Sequence, residues 1–147
     1  MSETIVKCQQ CGTRNRIPAG KQHRGPKCGK CHATLDLSRY RFPAVELTDA
    51  NFNEFLAATA RPVMVDFFSP TCGPCRTMMP VVELLANRYL GRAVIAKLNT
   101  GTNPTVSSRF AIRGVPAFLF FRRGQLVEQI TGAVPEERLA GKLDTLL

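Results

Sequence analysis

The chain has 147 residues, 44% of them apolar, and a formal net charge of +9. That length suits one ordinary domain, or a small domain beside a compact one, and the apolar share is normal for a globular chain. The longest apolar run, Pro116 to Phe121, is far too short for a membrane span, and residues 1–8 lack the apolar stretch of a secretory leader. Both points predict a cytoplasmic protein with no membrane association, whose cysteines serve as thiols or ligands rather than structural disulfides.

All six cysteines fall in Cys-x-x-Cys pairs, 8/11, 28/31 and 72/75, and two of the pairs lie in the first 31 residues. Sixteen residues separate Cys11 from Cys28. That is the spacing of a four-thiolate zinc site, which assigns Cys8, Cys11, Cys28 and Cys31 as ligands to one structural zinc ion. The segment has few large apolar residues (Ile5, Val6, Ile17, Leu35 and Leu37), too few to fold on burial alone. Metal binding would supply the missing free energy, on the order of 10 kcal/mol. The expectation is a zinc ribbon of short strands over residues 1–42, with Gly12 and Gly29 at its knuckle turns. Spacing does not separate zinc from iron. Cys28-Gly29-Lys30-Cys31-His32 also matches the c-type haem attachment pattern, although the second pair and the missing leader oppose that reading. His23 or His32 as a replacement ligand is a further alternative; otherwise both are read as exposed.

Charge is divided as well. Residues 1–43 carry nine Lys/Arg against Glu3 and Asp36, and the rest of the chain carries eleven against nine Asp/Glu. A basic ribbon can bind phosphates, but four thiolates with zinc subtract about two charges. Only Tyr40 and Phe42 supply aromatic surface near the ribbon. This favours a solvated face or an acidic partner over nucleic acid. Residues 36–44 show no helical period, and Pro43 sets Phe42 extended, so the domain boundary is placed near 42.

Over residues 43–147, Val45-Glu46-Leu47 reads as a short strand. Thr48 or Asp49 is placed to cap a helix bearing Phe52, Phe55 and Leu56, which ends before Pro62. Val63 to Phe68 is almost continuously apolar, as in a central strand covered on both faces. Arg76 to Tyr89 carries a helical stripe of Met78, Val81, Val82, Leu85 and Ala86, with a kink expected at Pro80. The methionines are read as core filling. Ala93 to Leu98 is a strand and Pro104 to Phe110 a short helix. Ala117 to Phe121 and Leu126 to Ile130 flank a turn at 122–125, as an antiparallel hairpin. Glu136 to Leu147 is a final helix with Leu139, Leu143 and Leu146 inward. The order β-α-β-α-β-α-β-β-α gives an α/β domain, a mixed sheet with helices on both faces.

Cys72-Gly73-Pro74-Cys75 follows the central strand and opens the long helix. At a helix N-terminus the unpaired N–H groups and the dipole favour the thiolate of Cys72, the nucleophilic species. Cys75 lies one turn on and can resolve a mixed disulfide formed at Cys72. Pro74 fixes φ in a turn where its missing N–H is not needed. The competing readings are a metal half-site or two buried core cysteines. Asp66 is the ionisable residue of its strand, and burial should raise its pKa. It is either a structural carboxylate or a proton acceptor for Cys75 acting through a water.

The segment VDFFSPTCGPCRTMMP resembles the active-site segment of thioredoxins, and AKLN, FAIRGVPAFLFFRRG and TGAVP extend the match in order to the C-terminus. The first 35 residues, through Val6-x-Cys8-x2-Cys11-x3-Asn15-Arg16-Ile17-Pro18 and Cys28-Gly29-x-Cys31-x3-Leu35, are similar to the zinc-binding thioredoxin 2 type. The resemblance implies a thioredoxin fold preceded by the ribbon, with zinc on the four cysteines. The activity it implies is protein-disulfide reduction by Cys72 and Cys75. It further implies Asp66 as proton acceptor with Lys97 near it, and a cis-proline loop at Pro116. The implied substrate surface comprises Thr71, Gly73, Pro74, Val115, Pro116, Gly114 and Gly132. The implied partners are disulfide-containing clients and an NADPH-dependent thioredoxin reductase, since nothing in this chain is read as binding nucleotide or flavin. Two family tryptophans are replaced, by Thr71 and Phe68, which bears on substrate preference but not on dithiol chemistry. Two other functions stand beside this one. The first is a ribbon-based binding module for nucleic acid or protein, with the dithiol as a switch. The second is a redox-sensing holdase whose ribbon releases zinc on oxidation.

Overall fold

The computed structural model describes residues 3–147; the first two residues of the expected 1–42 unit lie outside the described residues. Two sheets form. The first pairs β1 (Glu3–Lys7) with β2 (Arg14–Pro18), antiparallel. Two cysteine knuckles follow one hydrogen-bonding pattern. Cys8 N–H donates to the Thr13 carbonyl and Gly12 N–H to the Cys8 carbonyl; Cys28 N–H donates to Ala33 and His32 N–H to Cys28. Gly12 and His32 therefore hold equivalent left-handed positions, at φ 79° and 63°. The expectation that Gly29 supplies the second turn is corrected, because the left-handed residue is His32, a conformation that costs a side chain about 1 kcal/mol. Val6, Ile17, Leu35 and Phe42 pack with Cys8 and Cys28 into a small core that Leu90 of the main domain also touches. Ile5, counted among the apolar residues of the ribbon, is 44% exposed.

The second sheet has the order β3-β5-β4-β6-β7, formed by β3 (Val45–Leu47), β4 (Val63–Phe68), β5 (Val94–Asn99), β6 (Ala117–Arg122) and β7 (Gln125–Thr131). β3, β5 and β4 run parallel, while β6 and β7 are antiparallel. Strand periodicity sorts the core into two layers. Met64, Ile95, Phe118 and Phe120 face α2 (Gly73–Arg88) and α4 (Glu136–Leu146), meeting Met78, Val82, Leu85, Leu139 and Leu143. Val63, Val65, Phe67, Leu119 and Phe121 face α1 (Phe52–Ala58) and α3 (Pro104–Arg109), meeting Phe52, Leu56 and Val106. Asp66 and Lys97 are two residues beyond Met64 and Ile95, so alternation puts both on the α2 face. The mixed sheet with two helices on each face is the architecture expected from the sequence.

Local details differ from expectation in three places. α2 begins at Gly73, three residues before the expected Arg76, and continues through Pro80 as one helix. The hairpin strands extend one residue further, to Arg122 and Gln125, which pair across the expected 122–125 turn. Arg123 and Gly124, at φ 52° and 78°, make a two-residue turn of the type that matches strand twist. Asp49 does not cap α1. Its carboxylate accepts the N–H groups of Thr105 at 3.1 Å and Val106 at 2.9 Å, capping α3 more than fifty residues away.

Candidate active site and metal centre

The loop after β4 turns the chain into α2 with Cys72 as the N-cap, in extended conformation at φ −87° and ψ 118°, and Pro74 in the first turn. The Cys72 Sγ accepts the Cys75 N–H at 3.1 Å. A sulfur thus takes the place that a capping oxygen usually holds. Cys72 is half-exposed and Cys75 buried. Cys72 Sγ also lies 3.7 Å from the carbonyl oxygen of Val115, whose bond to Pro116 is cis. The Pro116 carbonyl accepts the Gly132 N–H at 2.7 Å. Val115, Pro116 and Gly132 are thereby gathered beside the nucleophile. Gly73 and Pro74 are exposed on the helix start, and exposed Thr71 pairs its hydroxyl with that of Ser69 at 3.1 Å. Phe68 is half-buried at the end of β4.

Asp66 has no solvent exposure, and neither carboxylate oxygen has a hydrogen-bond partner among the described residues. Burial pushes its pKa up to about 7; Lys97 pulls against that rise and Glu83 adds to it. The Cys75 thiol is pushed up to about 11, chiefly by burial, then by the hydrogen bond with Cys72, with Asp66 contributing in the same direction. Lys97 pairs with Asp66 in register across β4 and β5. Its ammonium, however, binds Glu83 Oε2 at 3.3 Å rather than the Asp66 carboxylate. Glu83 was missed at the sequence level. So was Asn87, four residues on, whose side chain accepts the Phe42 N–H at 2.8 Å and donates to the Phe42 carbonyl at 3.0 Å. Their one legible signal is the i, i+4 spacing, which puts both on one helix face.

In the ribbon the sulfurs of Cys8, Cys11, Cys28 and Cys31 lie within 4.8 Å of one another. The Cys8–Cys31 and Cys11–Cys28 separations are 3.7 and 3.6 Å. A tetrahedron with metal–sulfur bonds of about 2.3 Å has edges of about 3.8 Å, so the four thiols fit one ion. Backbone N–H groups reinforce the fit: Gln10 and Cys11 donate to Cys8 Sγ, and Lys30 donates to Cys28 Sγ. Donation from Cys31 and Lys30 holds the Cys28 thiol down to about 6. Neither histidine belongs to the cluster. His32 is exposed as expected, but His23 is not: its Nδ1 is buried without a partner among the described residues, and desolvation, aided by Arg61, lowers its pKa to about 4. The two aromatic residues near the ribbon are engaged internally, Phe42 in its core and Tyr40 by accepting the Lys7 N–H at 2.9 Å.

A five-stranded mixed sheet, with a Cys-Gly-Pro-Cys pair capping the helix that follows its central strand, defines a thioredoxin-fold dithiol protein. The Thioredoxin family model matches residues 43–145, and the model for the N-terminal region of Thioredoxin 2 matches residues 7–33. Thioredoxin 1 of Synechococcus elongatus is 43% identical over 101 residues, covering 69% of this chain and 94% of the relative. The thioredoxin of Synechocystis is 41% identical over 102 residues, 69% of this chain and 95% of its own. Thioredoxin 2 of Chlorobaculum tepidum is 41% identical over 99 residues, 67% and 91%. The chain belongs to the thioredoxin family, with the N-terminal zinc-ribbon region of the thioredoxin 2 type, and is a thiol–disulfide oxidoreductase. No helix among the described residues is long and apolar enough to cross a membrane.

Proposed function

We propose that the protein reduces disulfides in client proteins, with Cys72 as nucleophile, Cys75 as resolving thiol and Asp66 as the acceptor of the Cys75 proton. The Cys72 thiolate attacks one sulfur of a client disulfide, forming the Cys72–client bond and releasing the first client thiolate. Cys75 then gives its proton to Asp66 and attacks the Cys72 sulfur. The mixed disulfide breaks, the Cys72–Cys75 disulfide forms, and the second client thiolate leaves. Two electrons pass from the dithiol to the client. A reductase, by family a thioredoxin reductase, returns two electrons to the oxidised pair.

The observation that carries this reading is the asymmetry of the two thiols. Cys72 is half-exposed and caps the helix, while Cys75 is buried with its pKa raised to about 11. A thiol held that high needs a base, and the unpartnered carboxylate of Asp66, poised near 7, is matched to the task at neutral pH. Lys97 tunes that carboxylate. An extended client segment would lie against Val115, Pro116 and Gly132, hydrogen-bonding as an added strand, with Thr71, Gly73 and Pro74 bordering it.

The division into a ribbon at 1–42 and a catalytic domain at 43–147 is part of the proposal. So are a cytoplasmic location and zinc, rather than iron, as the ion at Cys8, Cys11, Cys28 and Cys31. Zinc there is structural and takes no part in electron transfer. The roles of the two thiols separate in one experiment. Cys75→Ser incubated with a disulfide-bonded client should accumulate a mixed disulfide through Cys72, resolved by mass spectrometry. Trapping through Cys72→Ser instead would reverse the assignment.

A further inference from the structure

The cation nearest in register to the buried carboxylate does not bind it. Lys97 lies opposite Asp66 across β4 and β5, on the same face of the sheet. Yet its Nζ is 3.3 Å from Glu83 Oε2, and both oxygens of Asp66 are left without a partner among the described residues. The other oxygen of Glu83 is held as well: Oε1 accepts the N–H of Ala44 at 2.7 Å. Ala44 belongs to the segment joining the ribbon to the sheet. One turn along α2, Asn87 binds both backbone groups of Phe42, whose side chain is in the ribbon core. A continuous set of contacts therefore runs from the ribbon through Phe42, Ala44 and Glu83 to Lys97, beside Asp66.

We propose that Glu83 is a positioning residue of the dithiol reaction: by engaging Lys97 it keeps the ammonium from neutralising Asp66, and the Ala44 N–H of the ribbon linker fixes it in that role. The inference rests on the reading of Asp66 as proton acceptor. The charged and titratable groups facing Asp66 are Lys97 from β5, and Glu83 and Cys75 from α2; β6 presents Phe118, which is apolar. Glu83 acts on Asp66 twice in one direction. Its own negative charge disfavours a second anion, and its grip on Lys97 withholds the charge that would favour one. The Glu83 side chain is 36% exposed. Without the Ala44 N–H its carboxylate is free to turn to solvent and release Lys97 toward Asp66.

The test uses the full-length metal-loaded protein, with the Asp66 midpoint read from its carboxyl carbon by NMR titration. Glu83→Gln keeps an oxygen for the Ala44 N–H and removes the charge. The Asp66 midpoint should fall by about one pH unit, and the acid limb of the rate of mixed-disulfide resolution should move down with it. Ala44→Pro deletes the N–H while keeping Glu83, and should move the midpoint in the same direction by less. An unchanged midpoint in folded Glu83→Gln overturns the proposal. A shift in Glu83→Gln with none in folded Ala44→Pro overturns the part played by the linker. The NMR midpoint reports on Glu83 whether or not Asp66 carries the proton. That second question is decided by the activity of Asp66→Asn: a loss at neutral pH supports the acceptor role, and full activity refutes it without touching the midpoint result.

Discussion

Asp66 is fully buried, and its carboxylate has no hydrogen-bond partner among the described residues. A carboxylate with ordinary pKa near 3.9 is held at about 7, chiefly by burial. Because the folded value lies above the unfolded one, the folded state binds the extra proton. The stabilising effect of protonation is complete below about pH 4 and is lost as pH rises through 7. Three pH units correspond to about 4 kcal/mol. Asp66→Asn should therefore be more stable than the native protein at pH 8, with the gap closing toward pH 4; denaturant titrations at both values check this. In the same variant, resolution of the mixed disulfide should slow by about 10²-fold at pH 7 and lose its acid limb near that pH, as measured by stopped-flow reduction of a chromogenic disulfide. The special status of Asp66 was legible, as an acid inside an apolar strand. Glu83 was not, because on a helix surface an acidic residue looks like any other until the strand beneath it and the linker above it are in place.

Helices and turns were legible wherever local chemistry sets them, and less so where a distant partner does. The α2 stripe of Met78, Val82 and Leu85 and the α4 stripe of Leu139 and Leu143 are buried as their spacing requires. The start of α2 moved because Cys72 itself is the cap. Asp49 looked like a cap for the helix next to it and instead caps α3. Asp49→Ala should cost about 1–2 kcal/mol in denaturant unfolding while leaving the dithiol site intact. At the second knuckle the spacing pointed to Gly29, but the backbone repeat puts His32 in the left-handed position. Removing that strain with His32→Gly should stabilise the metal-bound ribbon by about 1 kcal/mol, read from hydrogen exchange of residues 26–35.

At the scale of the whole molecule, the two sheets differ in their sources of stability. The catalytic body has two apolar layers around its sheet. The ribbon has one small core, made partly of its own cysteines, with Phe42 and Leu90 closing it. Chelation of the metal should therefore abolish amide protection over residues 3–35 and make four further thiols reactive, while the central strands of the body keep their protection. The spacing of the three cysteine pairs makes the four-cysteine cluster and the dithiol legible in the sequence. It does not show how the segment after the ribbon is held to α2, since that depends on Asn87 and Glu83 meeting backbone groups more than thirty residues away. As proposed, this chain is a dithiol reductase whose activity depends on Cys72. Reduction of insulin disulfides in dithiothreitol, by the native chain and by Cys72→Ser, decides the matter. Rapid precipitation of the insulin B chain with the native protein, falling to the uncatalysed rate in the variant, is the predicted result. Equal rates for the two proteins, or no catalysis by folded metal-loaded native protein, would refute a reductase acting through Cys72.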